Sequence, residues 1–173
     1  MCFSMPASLA SGAVLSVAGG MTVRLARRRL ELPLALVPLL FGVQQLVEGV
    51  VWWSLNHDDA RVNHVSTVVY MLFSHVLWPV FVPIAVLSLE TVRWRRRVVA
   101  GALAVGTAVS LDGLRIVLRG PGTSHVVCSS IQYTSPSYPV IALYLLATCV
   151  GALFSSHRIL RLCLLYTSDA ADE

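Results

Sequence analysis

The chain has 173 residues, 56% hydrophobic and 13% charged, with a formal net charge of +4 at pH 7. A soluble domain carries about 25% charged residues, so this composition, with a mean hydropathy of +0.73, excludes an ordinary soluble enzyme and points to the membrane. All thirteen basic residues are arginine; they are split among short connections that lack the spread of a binding face, so no nucleic-acid partner is expected.

Five apolar runs, approximately 3–23, 32–55, 65–89, 98–118 and 138–154, are long enough to cross ~30 Å of hydrocarbon. The expected fold is all-α, a polytopic transmembrane helical bundle formed by residues 1–161. The first run has no charge before it and arginines after it, so it reads as a retained helix rather than a secretory signal. It carries Ser4, Ser8, Gly12, Ser16 and Gly20 at a spacing of four, a ridge of small side chains that predicts a helix packed inside the bundle. Ala102 and Gly106 repeat the device in the fourth run.

The second run contains Phe41, Gln44, Gln45, Glu48 and Trp52, which share one helical face because residues three and four apart are neighbours. An ionised carboxyl at the bilayer centre costs roughly 2–3 kcal/mol or more, so this stripe should face the bundle or a wet cavity. The alternative is that Gln44 and Gln45 join helices and Glu48 is a protonated hydrogen-bond donor. The connection from Asn56 to His64 reads as a short outer loop, with Trp52 and Trp53 at the interface beside it.

The third run places His64, Met71, His75 and Trp78 on one face, with Thr67 at its edge. Pro79 has no N–H, so the carbonyl of His75 loses its helical partner, and Pro83 repeats the interruption one turn later. Broken helices at midmembrane depth often hold ions in transporters; a packed, kinked helix with a neutral histidine is the plainer reading. In the fourth run Asp112, Arg115 and Arg119 form a charged stripe near the outer end. They can form an internal ion pair with Arg119 reaching the interface, or Asp112 can pair with His75 and Arg115 with Glu48. The stretch from Arg119 to Ser137 is a longer outer loop.

Ten of the thirteen arginines fall at Arg24–Arg29, Arg93–Arg97 and Arg158–Arg161. Their alternation with nearly bare connections predicts a cytoplasmic position for these three and an N-terminus outside. The absence of lysine among so much Ala, Val, Leu and Gly suggests a bacterial gene of high G+C content, hence the inner membrane. Cys2 and Cys128 both map outside, where they could form a disulfide. Cys149 reads as an apolar filler. Cys2 as a nucleophile finds no nearby base. Residues 162–173 resemble a translated adapter tail and are expected to be non-native, with the natural chain continuing beyond Arg161.

Met1-Cys2-Phe3-Ser4, the stretch Pro38-Leu39-Leu40-Phe41-Gly42-Val43-Gln44-Gln45-Leu46-Val47-Glu48-Gly49, Trp78-Pro79-Val80-Phe81-Val82-Pro83 and Ser155-Ser156-His157-Arg158 together resemble an uncharacterised family of bacterial multi-pass membrane proteins. The resemblance covers nearly all of the chain before the tail. It implies roughly seven helices in the complete protein, and it brings no activity with it.

By direction of travel Glu48, His75, Asp112 and Arg115 fall in the middle or outer half of the bilayer. With Gln44 and Gln45 they define a candidate cavity for a small solute or a proton. A second reading is a membrane metal hydrolase, for which His64, His75, Asp112 or Glu48 are the available ligands. Three ligands and an open position would be needed, and no His-x-x-x-His occurs. A third is a structural or partner-binding subunit using the small-residue ridge. No nucleotide-cradling glycine motif is present, and no cofactor is expected.

Overall fold

In hydrocarbon every backbone N–H and C=O must be paired within the protein, which leaves helix as the natural form of these apolar runs. The computed structural model describes residues 4–120, 123–127, 130–133 and 138–153, and apart from one small hairpin its regular structure is helical. Helix α1 is Met5–Leu25. A 3₁₀ turn, Arg29–Glu31, leads into α2 (Leu32–Ala35) and α3 (Val37–Asn56). Helix α4 (Ala60–Met71) continues through a π-helical stretch, Leu72–Leu77, into α5 (Trp78–Leu89). Helix α6 (Arg93–Arg119) precedes strands β1 (His125–Val127) and β2 (Ser130–Gln132), which pair antiparallel with Val126 opposite Ile131. Helix α7 is Tyr138–Leu153.

Four continuous helical runs, Met5–Leu25, Arg29–Asn56, Ala60–Leu89 and Arg93–Arg119, are long and apolar enough to cross a membrane; the apolar helix Pro139–Val150 is shorter. The all-α bundle expected from hydropathy is the observed fold. The helices pack in a row that largely follows chain order: α1 on α3, α3 on α4, the π-helical stretch and α5 on α6, and α7 on α5 and α6.

The third run begins earlier than its apolar pattern suggests. The Asp59 carboxylate accepts from the N–H groups of Arg61 and Val62 at 3.1 and 3.0 Å, an N-cap that starts α4 at Ala60, inside the stretch expected to be a loop. Residues 60–64, with Arg61, Asn63 and His64 among them, are helical because the cap satisfies the first-turn donors, a signal that hydropathy does not weigh.

The small-residue ridge of α1 packs on one neighbour, α3, instead of being enclosed: Val14, Val17 and Met21 are exposed on its other side. Its register also differs from the expectation. Ser8, Gly12 and Gly19 are buried, and a Cβ on Gly19 would overlap the backbone of Leu39, whereas one on Gly20 would meet nothing within 4 Å. Each step of four residues overshoots a turn by about 40°, so a strict spacing of four winds off the contact face. Substituting one step of three returns the line to it.

Around the proline the backbone changes register. The N–H of Trp78 bonds to Phe73 O, five residues back, and the π-helical turn absorbs the mismatch that Pro79 imposes. Helix α6 supports this segment with its small face. Ser110 Oγ donates to Val76 O at 2.9 Å. Gly106 lies against the Pro79 carbonyl, and a Cβ on Gly113 would come within 2.7 Å of the His75 carbonyl oxygen. The expected kink is therefore a π-helical segment held by a neighbouring helix.

Cys2, Cys128, the arginines at 158–161 and the segment 162–173 lie outside the described residues, so the disulfide and the tail remain expectations from sequence.

Candidate functional site

The face of α3 carrying Phe41, Gln44, Gln45 and Glu48 makes contacts on two sides. Gln45 leans toward α1: its Oε1 accepts from Ser11 Oγ at 3.4 Å, and its Nε2 donates to Glu48 Oε2 at 3.0 Å. Gln44, 7% exposed, points the other way and accepts from Trp78 Nε1 at the start of α5. The two glutamines thus join α3 to different neighbours, as the interhelical alternative supposes. Glu48 is half-buried at the end of this relay, with one carboxylate oxygen held by Gln45.

Aromatic rings surround the relay. Phe41 stacks on Trp78 with centroids 4.1 Å apart, and Tyr70 stacks on Tyr133 at 4.5 Å and 14°. Tyr133 belongs to the hairpin connection after β2, so the long loop returns to the α3–α4 face. Its hydroxyl is buried without a hydrogen-bond partner among the described residues. Burial pushes that hydroxyl well above its ordinary pKa of 10.0, and the neighbouring Tyr70 and Glu48 charges add to the effect. Tyr133 is therefore an O–H group at any physiological pH, a donor aimed at whatever acceptor reaches it. Trp52, one turn beyond Glu48, has a second buried donor, Nε1, with no partner among the described residues.

A buried hydrogen-bond network holds the loop in place. Asn63 Nδ2 donates to Ser54 Oγ at 3.2 Å and to Ser124 Oγ at 2.9 Å, and Ser124 N donates to Asn63 Oδ1 at 3.3 Å. Thr67 Oγ1 adds a bond to Ser124 Oγ at 3.0 Å. Asn63 and Thr67 share a face of α4 by their spacing of four, Ser54 lies in the last turn of α3, and Ser124 precedes β1. Two helices and the loop are thereby tied at one point.

The remaining candidate residues lie elsewhere. His75, in the π-helical stretch, has Nδ1 2.7 Å from Ser74 Oγ and lines a cavity of about 240 Å³ with Val109, Gly113, Ile141 and Tyr144, on the α6 and α7 side. Asp112 and Arg115 line a groove with Arg119 on the exposed side of α6. That side is set by the buried strip Ala102, Gly106, Val109 and Gly113, which turns the charged stripe away from the neighbours of α6. Among the described residues no hydrogen bond or ion pair joins Asp112 to Arg115 or His75. The structure therefore brings together Gln44, Gln45 and Glu48, and places His75 and the Asp112–Arg115 stripe apart from them. His64 is exposed near the start of α4, and no group of three His, Cys, Asp or Glu residues that could hold a metal occurs among the described residues.

Sequence reasoning passed over Tyr70, Tyr133, Asn63 and Ser124, and placed Thr67 only at the edge of the His64–Trp78 face. Asn63 and Thr67 carried a usable signal, polar residues four apart beside a helix cap. Tyr133 and Ser124 carried none, being ordinary loop residues until the loop folds back. Glu90, 1% exposed, was also missed; its carboxylate accepts from Val92 N at 3.0 Å and turns the chain between α5 and α6.

The chain matches no curated protein and no solved structure. A family model described as a family of unknown function, DUF6629, matches residues 1–171, and the resemblance noted in the sequence is to that extent confirmed. With this match covering nearly its whole length, the chain belongs to the DUF6629 family of unknown function.

Proposed function

We propose that this is a multi-pass protein of the bacterial inner membrane, with its N-terminus outside, that binds or moves a small polar solute or a proton at Glu48. The observation that carries this reading is the buried Tyr133 hydroxyl, without a hydrogen-bond partner among the described residues, on the ring stacked against Tyr70 and close enough to Glu48 to feel its charge. A buried donor left unpaired costs about 1–3 kcal/mol, which a fold can recover when a ligand supplies the acceptor. Glu48 contributes an acceptor and a titratable proton at the end of the Ser11–Gln45 relay, and the loop above it is held by the Asn63 network. In this reading the loop covers the site from outside, and the solute meets Glu48 and Tyr133 together.

The metal-hydrolase reading has less support, because its ligand candidates His64, His75 and Asp112 lie on different parts of the bundle. The partner-binding reading loses its main feature, since the small-residue face of α1 is occupied by α3. Purified protein in proteoliposomes enclosing a pH-sensitive dye tests the proposal. Wild type should pass protons, alone or with a screened solute, and Glu48→Gln should abolish the flux while keeping its helical spectrum and melting temperature. A folded Glu48→Leu variant with undiminished flux would refute the assignment of Glu48; a wild type that passes neither would favour a structural subunit.

A further inference from the structure

A second feature, independent of Glu48, lies on the outer flank of α3 and α4. A groove of about 370 Å³ runs between them, walled by Val47, Val50, Val62, Val65 and Val69, with Arg61 at its end. Ser66 also borders it, but its hydroxyl is turned back onto Val62 O at 2.7 Å, so the wall offers little polar surface. Along α4 the groove extends from Arg61 to Val69, about 12 Å at 1.5 Å per residue. Its volume holds roughly a dozen methylenes, taking each as the ~30 Å³ share of a water molecule.

Arg61 sits in the first turn of α4, where the helix dipole disfavours a cation. Its backbone N–H is bound by the Asp59 carboxylate, which also holds Val62 N and so is committed to the cap. The guanidinium itself makes no hydrogen bond or ion pair among the described residues. An exposed guanidinium with no ion-pair partner among the described residues, at the interface end of a valine-lined groove, matches a molecule with an anionic head and a linear apolar tail.

We propose that this groove holds one acyl chain of an anionic phospholipid, with its phosphate on Arg61. A peptide would find almost no partners for its main-chain polar groups on the valine wall, and a free anion would leave that wall unused.

The test is a lipid titration of the full chain in mild detergent, read by native mass spectrometry, with phosphatidylglycerol and phosphatidylcholine of matched chains. Wild type should retain one phosphatidylglycerol, held about fivefold more tightly than phosphatidylcholine, the preference expected of one interfacial arginine. Arg61→Gln should remove the preference, and Val65→Phe, which fills the groove and leaves Arg61 in place, should weaken both lipids. Circular dichroism establishes that each variant is folded. Equal retention of both lipids by wild type and Arg61→Gln would reduce the groove to ordinary annular contact and overturn the proposal. Displacement of the lipid by excess inorganic phosphate would overturn the role of the acyl chain.

Discussion

Truncating Asn63 to alanine tests whether the loop bearing Tyr133 is held by the buried polar network. The side chain makes three hydrogen bonds, at 3.2, 2.9 and 3.3 Å, to Ser54 and to both the hydroxyl and the backbone of Ser124. At about 0.5–1.5 kcal/mol each, with the longest near the low end, their loss costs about 2–4 kcal/mol, part of it from leaving the Ser124 N–H buried and unpaired. Thr67→Val removes a single bond of 3.0 Å and should cost only about 0.5–1.5 kcal/mol. Thermal unfolding in detergent gives the two energies, and amide exchange across residues 123–133 reports whether the loop has come loose. Asn63→Ala should speed exchange there and weaken any ligand held by Tyr133, whereas α6 and α7 should keep their protection. If Asn63→Ala costs no more than Thr67→Val and leaves loop exchange unchanged, the network does not anchor the loop, and the argument that it covers the site fails.

Three further outcomes follow from the packing and from Tyr133. Gly19→Val should destabilise the α1–α3 pair by about 1–3 kcal/mol or more through overlap with Leu39, while Gly20→Val should stay within about 0.5 kcal/mol; melting temperatures of the two variants compare them directly. Ser110→Ala leaves the Val76 carbonyl without its hydroxyl donor and should cost about 0.6–1.7 kcal/mol, with faster amide exchange confined to residues around 72–80. Because the folded protein holds the Tyr133 hydroxyl above its ordinary 10.0, the folded state keeps a proton that the unfolded chain loses. The stabilisation is therefore fully present below about pH 10 and declines as pH rises beyond it. Tyr133→Phe should flatten that alkaline decline in melting temperature, and an unchanged decline would show that Tyr133 does not cause it.

The apolar runs, their helical form and the shared face of Phe41, Gln44, Gln45 and Glu48 were legible because they depend on spacing within one segment, which helix geometry converts directly into position. Pro79 likewise announced a disturbed backbone near His75, since a missing N–H is a local fact. What met those features was decided by the tertiary structure. Gln44 and Gln45 are adjacent in sequence yet serve different neighbours, because successive helical side chains point about 100° apart and α1 and α5 flank α3 on different sides. The charged stripe of α6 could have faced Glu48 or the surrounding lipid; burial of Gly106, Ser110 and Gly113 against the π-helical segment and the start of α5 turned it outward. Tyr133 reaches Tyr70, and Ser124 reaches Asn63, across a separation of some sixty residues. Intrahelical periodicity carries no information about the rotation of one helix against another or the path of a returning loop. Those are set by which close-packed arrangement also satisfies the buried polar groups.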